Sequence, residues 1–231
     1  MTVRSTSAPG RDIPSATVAR LPVYLLALVA LNEAEVTVCS SKELAARAGV
    51  TSSQLRKDLS YLGSYGTRGV GYDVAHLRYQ IARQIGIAEE RPVVIAGVGN
   101  LGHALASYAG FGSRGFEVVA LIDADVTRFT EPVGGLHVRP LGDLPDIVAE
   151  HGAVIGVIAT PPTSAQEVAD LMVAVGVRSI LNFAPVIIEV PAGVEVRKVD
   201  LALEMQILAF HEQRSAEADI APRRTASGAR R

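Results

Sequence analysis

The chain has 231 residues, more than one average domain and fewer than two large ones. Almost half of its residues, 48%, are apolar, which suffices for a sizeable core. The one cysteine, Cys39, excludes a disulfide framework and suits a reducing compartment. The five histidines are scattered without ligand spacing, so we expect no metal site.

Charge is unevenly distributed along the chain. Residues 1–85 carry ten Lys and Arg against six Asp and Glu, whereas residues 86–231 carry twelve against eighteen. A basic first third favours nucleic-acid binding at the N-terminus. The longest apolar stretch there, Val23–Leu31, is too short to cross a bilayer and lacks the flanks of a signal peptide. We therefore expect a cytoplasmic protein with no membrane partner.

The first elements are an arm and a long helix. Residues 1–13 contain Ser, Pro and Gly without periodicity, and we expect a disordered arm. A helix is predicted over Ser15–Glu33, and Pro22 either kinks it or marks a restart.

Two capping patterns follow this helix. Ser40 and Glu43 fit one capping box, and Thr51 and Gln54 fit a second. They open two short helices joined by a glycine-containing turn, the second running to about Leu62. This arrangement predicts a helix-turn-helix.

A glycine-rich segment, Ser64–Tyr72, comes next and predicts a tight β-hairpin or wing. Asp73 then caps a further helix that ends at Gly86. Residues 14–86 are therefore predicted to form a winged helix-turn-helix domain.

The rhythm changes after Pro92 to apolar strands alternating with helices. This alternation predicts a Rossmann-like, doubly wound parallel sheet over residues 87–199 and hence an α/β fold. The predicted strands are Val93–Gly97, Glu117–Asp123, Ala153–Thr160, Arg178–Phe183 and Val194–Val199, and the predicted helices lie near 100–110, 143–151 and 163–175.

A final helix is predicted over residues 200–214, before a tail at 215–231 that we expect to be disordered. Apolar residues occupy most of the circumference of this helix, so burying one face is not enough. They are Leu201, Leu203, Met205, Ile207, Leu208 and Phe210.

One glycine motif indicates a dinucleotide site. It follows a strand and opens a helix, and Asp123 ends the next strand, where a carboxylate can accept hydrogen bonds from ribose. Asp123 favours NAD(H) over NADP(H), although the nearby Arg128 leaves the second open, and a merely structural turn is the alternative. The motif is Gly97, Val98, Gly99, Asn100, Leu101 and Gly102.

The helix after the second capping box carries candidate DNA contacts. Residues at its start could reach base edges, and basic residues on it and on the wing could meet phosphate, guanine or the minor groove. A solvated helix face and an ordinary hairpin are the alternative. The candidates are Ser52, Ser53, Gln54, Arg56, Lys57, Tyr61 and Arg68.

Several segments together resemble the Rex family, the redox-sensing transcriptional repressors of bacteria. The resemblance covers about residues 13–213. The segments that carry it are Arg20–Tyr24, Leu55–Asp58, Tyr65–Tyr72, Gly97–Gly102, Ile180–Pro185 and Val199–Leu201.

The resemblance implies a homodimer in which the last helix is swapped onto the partner subunit. It implies that NADH binding releases the protein from a palindromic operator, whereas NAD⁺ competes weakly without releasing it. NADH and NAD⁺ would then be ligands rather than redox cofactors. The residues that the resemblance adds to the cofactor site are Tyr108, Thr160, Pro161, Asn182, Phe183, Ala184 and Pro185.

The resemblance also implies a switch residue, Asp200, at the start of the swapped helix. Many family members carry an arginine two residues after the tyrosine of the first helix, and it can pair with this aspartate. Here that position is Leu26, and the nearest arginine is Arg20. The pairing partner of Asp200 is therefore open.

Two other functions compete with a repressor that senses the NADH/NAD⁺ balance. An NAD-dependent oxidoreductase would need an acid or base beside the nicotinamide, and the loops at 159–162 and 182–185 offer no Lys, His, Arg or Glu. A CoA-binding Rossmann domain of a ligase has similar loops but no such N-terminal domain. We therefore expect binding without catalysis.

Overall fold

The computed structural model describes residues 13–63, 66–67, 70–128, 132–152 and 155–220. Contacts divide the chain between Glu90 and Arg91 into two units, here called the N-terminal and the C-terminal unit. Arg68, residues 1–12 of the predicted arm and residues 221–231 of the predicted tail lie outside the described residues.

In the part of the N-terminal unit that the structure describes, four helices combine with a small antiparallel sheet. Its strands lie in the order β1-β3-β2, and Cys39 of the unpredicted strand β1 pairs with Tyr72 of β3. Helices and a hairpin in this order form a winged helix-turn-helix. The elements are α1 (Ser15–Glu33), β1 (Val38–Cys39), α2 (Ser41–Arg47), α3 (Ser52–Leu62), β2 (Gly66–Thr67), β3 (Gly71–Asp73) and α4 (Val74–Gln84).

Helix α1 passes through Pro22 without restarting. By length and composition alone it could cross a membrane, although Val23–Leu31 by itself is too short. Its inner face nevertheless lies in the core of the unit, where Leu21, Leu28 and Leu31 are buried against α2, α3 and α4. This burial is typical of a core helix in a globular domain.

The predicted caps of α2 and α3 form, but only in part. Ser40 Oγ accepts a hydrogen bond from the Glu43 N–H (3.1 Å), and Thr51 Oγ1 accepts one from the Gln54 N–H (3.2 Å). The reciprocal half of the second box does not form, because the Gln54 side chain donates instead to Asp58. A buried carboxylate on the next turn thus displaces the expected backbone contact.

The C-terminal unit contains a six-stranded, all-parallel sheet in the order β6-β5-β4-β7-β8-β9. The chain winds outward from β4 in one direction and then from β7 in the other, which is the Rossmann order. Strand β6 was not predicted because only three residues pair. The strands are β4 (Arg91–Ala96), β5 (Phe116–Asp123), β6 (Val138–Pro140), β7 (Ile155–Ile158), β8 (Ser179–Asn182) and β9 (Glu195–Lys198).

Helices cover the two faces of this sheet unequally. Leu144 of α6 and Met172 of α7 belong to the core on one face, whereas the other face receives Leu105 of α5. On that second face an apolar groove of about 260 Å³ lies over β4, β7 and β8, between Val93 and Leu181. The helices are α5 (Asn100–Ala106), α6 (Leu144–His151), α7 (Pro162–Ala174) and α8 (Leu201–Ile220).

Helix α8 extends to Ile220, so the predicted end near Arg214 and the disordered start of the tail at 215–220 are wrong. Residues 215–220 lack apolar periodicity, but their Ala and Glu residues are good helix formers. The six large apolar side chains between Leu201 and Phe210 of α8 are exposed, each by at least 45%.

Candidate functional site

The glycine motif connects β4 to α5 where the strand order reverses, between β4 and β7. Ligands of open parallel sheets bind in this crevice, outside the carboxyl ends of the strands. The Gly97 N–H donates to the Ile122 carbonyl (2.9 Å), and the Ala159 N–H donates to the Ala96 carbonyl (2.8 Å). The first bond holds the glycine loop against the end of β5, and the second holds the loop after β7 against the end of β4.

Gly97 and Gly102 are glycines for packing reasons. Gly97 has a φ of +88°, and a Cβ on it would lie 2.7 Å from the backbone of Ala159 and Thr160. A Cβ on Gly102 would collide with the Gly97 carbonyl oxygen. The first glycine therefore allows the turn, and the third allows helix and strand to pack closely, as the motif predicts.

Gly99 differs from these two glycines because a Cβ on it would meet nothing within 4 Å. It precedes α5, whose first residue is Asn100. The open space above Gly99 is where a pyrophosphate could approach the backbone and the N–H groups at the start of the helix. The loop Gly97–Gly102, here called the glycine cradle, thus fits a dinucleotide.

Asp123 lies at the end of β5, as predicted, but its carboxylate is already in use. The Val98 N–H donates to Asp123 Oδ2 (2.7 Å), and the Asp125 N–H donates to Oδ1 (3.0 Å). Asp123 therefore braces the glycine loop, and a ribose hydroxyl would share these oxygens. The sequence predicted the ribose role and missed the brace.

The loop after β7 places one polar atom in an unusual state. Thr160 Oγ1 is buried and has no hydrogen-bond partner among the described residues. A buried hydroxyl without a partner is costly, so a ligand or water is expected to satisfy it. Pro161, the N-cap of α7, is exposed beside it.

The loop after β8 is built by Asn182, whose side chain is buried. Asn182 Nδ2 donates to the Val186 carbonyl and Oδ1 accepts from the Ala184 N–H, each at 2.9 Å. Asn182 therefore shapes the loop through its side chain, with Ala184 buried inside it. Phe183 packs on the sheet, and Pro185 is exposed.

Tyr108 follows α5 and is 49% exposed. Its ring meets Phe111 edge-to-face with centroids 5.3 Å apart, and its hydroxyl accepts a long hydrogen bond from Arg114 (3.5 Å).

Helix α3 of the N-terminal unit presents a mixed polar surface. Lys57 is exposed, and Arg56 is exposed while donating to Ser41 Oγ (3.1 Å). Ser53 is exposed and shares a hydrogen bond with Thr51 (3.0 Å).

The other predicted DNA contacts on α3 are less accessible. Ser52, Gln54 and Tyr61 are half-buried, and the Gln54 amide is bonded to Asp58. Of the predicted contacts on α3, only Ser53, Arg56 and Lys57 are thus exposed, and the last two are basic. Within the described part of the chain, no three His, Cys, Asp or Glu side chains cluster as metal ligands.

Comparison with known proteins covers both units. A family model for the N-terminus of DNA-binding proteins (Put_DNA-bind_N) matches residues 12–60, and the CoA binding domain model matches residues 88–186. The redox-sensing transcriptional repressor Rex of Streptomyces griseus is 62% identical over 211 residues, 91% of this chain and 83% of that protein. The chain belongs to the Rex family.

Other Rex proteins and solved structures agree. Rex of Pelotomaculum thermopropionicum is 45% identical over 86% of this chain and 93% of its own length. A crystal structure of RSP, a Rex-family repressor, in complex with β-NAD⁺ and operator DNA has a TM-score of 0.83. It is 30% identical and covers 94% of this chain and 100% of that one. RSP in complex with β-NADH has a TM-score of 0.79, with 29% identity over 90% and 98% of the two chains.

Asp200, the switch residue that the resemblance implies, has local partners in this chain. Its Oδ1 accepts from the Leu203 N–H (3.2 Å) at the start of α8, and Lys198 Nζ lies 3.1 Å from Oδ2. These contacts lower the pKa of Asp200. Leu26, the position at which the resemblance implies an arginine partner, is exposed on α1.

Sequence reasoning missed Asp58, although it lies in a Rex-like segment. This carboxylate is fully buried and accepts hydrogen bonds from Thr17, Arg20, Tyr24 and Gln54. Burial opposes ionisation, but these donors, Arg20 foremost, hold the pKa of Asp58 well below its usual range. A clue existed in the sequence, because Thr17, Arg20 and Tyr24 recur at helical spacing on the inner side of α1.

Proposed function

We propose that this chain is a transcriptional repressor that reports the NADH/NAD⁺ balance. As a homodimer it binds a palindromic operator, and it leaves the DNA when NADH occupies the glycine loop. One observation carries the proposal. A single chain joins a helix-turn-helix with an exposed basic helix to a glycine cradle. In this cradle Gly97 and Gly102 are closely packed, and Gly99 faces open space where a pyrophosphate would sit. The RSP complexes with operator DNA and with β-NADH support it.

In the C-terminal unit, Gly97–Gly102 would hold the pyrophosphate and Asp123 would accept from the adenosine ribose. Thr160 Oγ1, which lacks a partner among the described residues, would satisfy a polar group near the nicotinamide. Asn182 would act indirectly, by shaping the 183–186 loop. The bound dinucleotide supplies a redox-dependent shape and charge at this site.

In the N-terminal unit, α3 would enter the major groove. Ser52, Ser53 and Gln54 lie at its N-terminal end, which reaches base edges in helix-turn-helix proteins. Arg56 and Lys57 would contact phosphate or guanine.

The homodimer proposal is supported by α8. Its exposed Leu201, Met205 and Leu208 find no cover in the C-terminal unit. A long helix that is apolar on all sides is stable in water only when another surface buries it. We propose that α8 is swapped onto a partner subunit.

The proposal includes binding without catalysis, in the cytoplasm. Residues 159–162 after β7 and residues 182–185 after β8 include no Lys, His, Arg or Glu. An oxidoreductase would need such an acid, base or electrophile. Turnover of NADH with any small carbonyl substrate would contradict this part.

The test uses the full chain and a duplex that it enriches from a randomised DNA library. Operator affinity is measured at constant total dinucleotide while the NADH/NAD⁺ ratio is varied. We expect affinity to fall as the NADH fraction rises. Affinity independent of the ratio would contradict the proposed function.

A further inference from the structure

Asp58 lies on the buried side of α3 and has no part in the function proposed above. An ionised carboxylate is stable in a protein core only when its oxygens are fully hydrogen-bonded or paired. Here the side chain is 1% exposed, and four neighbouring side chains donate to it. The cluster therefore holds a buried negative charge on the inner side of α3, the helix proposed to bind DNA.

Three of the donors come from α1. Thr17 Oγ1 donates to Oδ1 (3.0 Å) and the Tyr24 hydroxyl to Oδ2 (2.6 Å). Arg20 binds both oxygens, through Nε (2.6 Å) and Nη2 (2.8 Å). A two-point Arg–carboxylate contact fixes direction as well as distance, so this network sets the rotation of α3 about its own axis.

The fourth donor, Gln54, lies on α3 itself, one turn before Asp58. Gln54 Nε2 donates to Asp58 Oδ1 (2.9 Å). An ionised carboxylate only accepts hydrogen bonds, so the amide nitrogen must face Asp58 and the amide cannot flip. One N–H group and the carbonyl oxygen of Gln54 then remain for another partner.

The N–H group and the carbonyl oxygen that remain on Gln54 match the hydrogen-bonding edge of adenine. In the major groove, glutamine recognises adenine by accepting from N6 and donating to N7. Gln54 is the third residue of α3, within the part of a recognition helix that reaches base edges. A glutamine held by a carboxylate presents this pair in one orientation.

We propose that Asp58 is a positioning residue that fixes the side-chain amide of Gln54, and that Gln54 selects adenine at one base pair of each operator half-site. The inference rests on the proposed binding of DNA by α3. Arg20 neutralises Asp58, so the buried carboxylate does not repel the phosphates. Lys57, exposed on the same helix, supplies affinity without this selectivity.

The experiment selects duplexes from a randomised DNA library with the full-length chain and with two variants, Gln54→Ala and Asp58→Asn. We expect the wild type to prefer adenine at one symmetric position by roughly 5- to 150-fold, the range of a bidentate base contact. Both variants should lose this preference at that same position and keep the others. A neutral amide at position 58 no longer dictates which way Gln54 points.

Tyr24→Phe is the matched control for stability. It removes a hydrogen bond from Asp58 Oδ2 but leaves the contact between Oδ1 and Gln54. We expect a lower Tm with the adenine preference intact. If Tyr24→Phe abolishes the preference as Asp58→Asn does, general loosening explains the effect and the inference is wrong.

A second variant keeps the test decisive if Asp58→Asn does not fold. Gln54→Asn retains an amide that is one methylene too short to reach Asp58 from the same backbone, at a half-exposed position. We expect a Tm that falls no further than in Tyr24→Phe, since each variant removes one hydrogen bond from Asp58, together with a lost preference. A Gln54→Asn protein that still selects adenine would overturn the positioning role.

The outcomes separate this inference from the proposed function. If the wild type enriches a palindrome and Gln54→Ala enriches the same one with the same preferences, Gln54 does not select a base and only the inference fails. If the wild type enriches no sequence, operator binding itself is contradicted, and the inference falls with it.

Discussion

The three glycines of the cradle have different roles, which single substitutions can separate by their effects on stability and on NADH binding. Gly97 and Gly102 leave no room for a Cβ, whereas Gly99 faces open space. Substitution of the first two would therefore disturb the fold, and substitution of Gly99 would disturb only what approaches it.

We expect Gly99→Ala to keep the Tm of the wild type and to weaken NADH binding. The added methyl group would hold the pyrophosphate away from the backbone N–H groups, at a loss of about 1.5–3 kcal/mol for a hydrogen bond to a charged group. The measurement is NADH titration by fluorescence. Gly112→Ala is the matched control, since a Cβ there also meets nothing within 4 Å and Gly112 lies before β5, away from the cradle. Equal NADH affinity for Gly99→Ala and wild type would exclude the cradle as the pyrophosphate site.

The role of a single residue could be predicted from the sequence where a local pattern determines that role. Gly102 and the caps at Ser40 and Thr51 are set by neighbours a few residues away, and Gly97 by the turn that gives it a φ of +88°. The role of Asp58 was missed because its α1 partners lie 34–41 residues earlier in the chain, and their helical spacing alone does not name the residue they bind. The brace between Asp123 and Val98 was missed for the same reason, since it spans 25 residues.

At the scale of elements, the contact between α1 and α3 fixes the position of α3 in the helix-turn-helix. The Arg20–Asp58 pair and the Tyr24 hydroxyl join the two helices in the core of the N-terminal unit. The exposed face of α3 carries its basic residues on the opposite side.

Lys57→Ala should weaken binding to all DNA sequences alike. Removal of one phosphate contact is expected to lower the slope of log affinity against log salt by about one. Binding is measured at several salt concentrations on the enriched duplex and on unrelated DNA. Arg78→Ala, which removes an exposed charge from α4, is the control and should leave the slope unchanged. An unchanged slope for Lys57→Ala would remove this residue from the interface.

The Tyr24 hydroxyl should make the N-terminal unit sensitive to alkaline pH. Burial, together with the hydrogen bond to Asp58, raises the pKa of Tyr24 from 10.0 to about 12. The unfolded chain then releases the Tyr24 proton from about pH 10 while the folded chain keeps it, so stability is lost between pH 10 and 12. Each unit of pKa difference corresponds to about 1.4 kcal/mol. Chemical denaturation of wild type and Tyr24→Phe should show their stability difference shrinking over that range; a constant difference would contradict this placement of the proton.

Elements were predictable where apolar periodicity extends over several residues. The strands from Val93, Glu117 and Arg178 and helix α1 show such patterns, and the structure confirms them within a few residues. Strands β1 and β6 pair over only two and three residues, too short for a pattern. The end of α8 escaped prediction because residues beyond Arg214 are helical by propensity rather than by an apolar face.

At the scale of the whole molecule, α8 is the helix whose apolar side chains a single subunit leaves exposed to water. Its large apolar side chains are exposed, from Leu201 to Phe210. Helices of this kind are stable when a second surface buries them, and a symmetric dimer supplies such a surface twice.

Truncation after Val199 should abolish the dimer. Loss of α8 removes the apolar surface proposed to bury itself in the partner, so we expect monomeric or insoluble protein in light scattering after size exclusion. A truncation after Ile220, which leaves α8 complete, is the control and should remain dimeric. A well-behaved dimer without α8 would show that another surface joins the subunits.

The central claim is that NADH and operator DNA oppose each other across two separate units of the chain. Equilibrium coupling is reciprocal, so DNA must weaken NADH binding by the same factor by which NADH weakens DNA binding. The most direct measurement is NADH affinity with and without saturating operator duplex. We expect NADH binding that is about 5- to 150-fold weaker on DNA, the range of a typical coupling. Equal affinities, or tighter NADH binding on DNA, would contradict it.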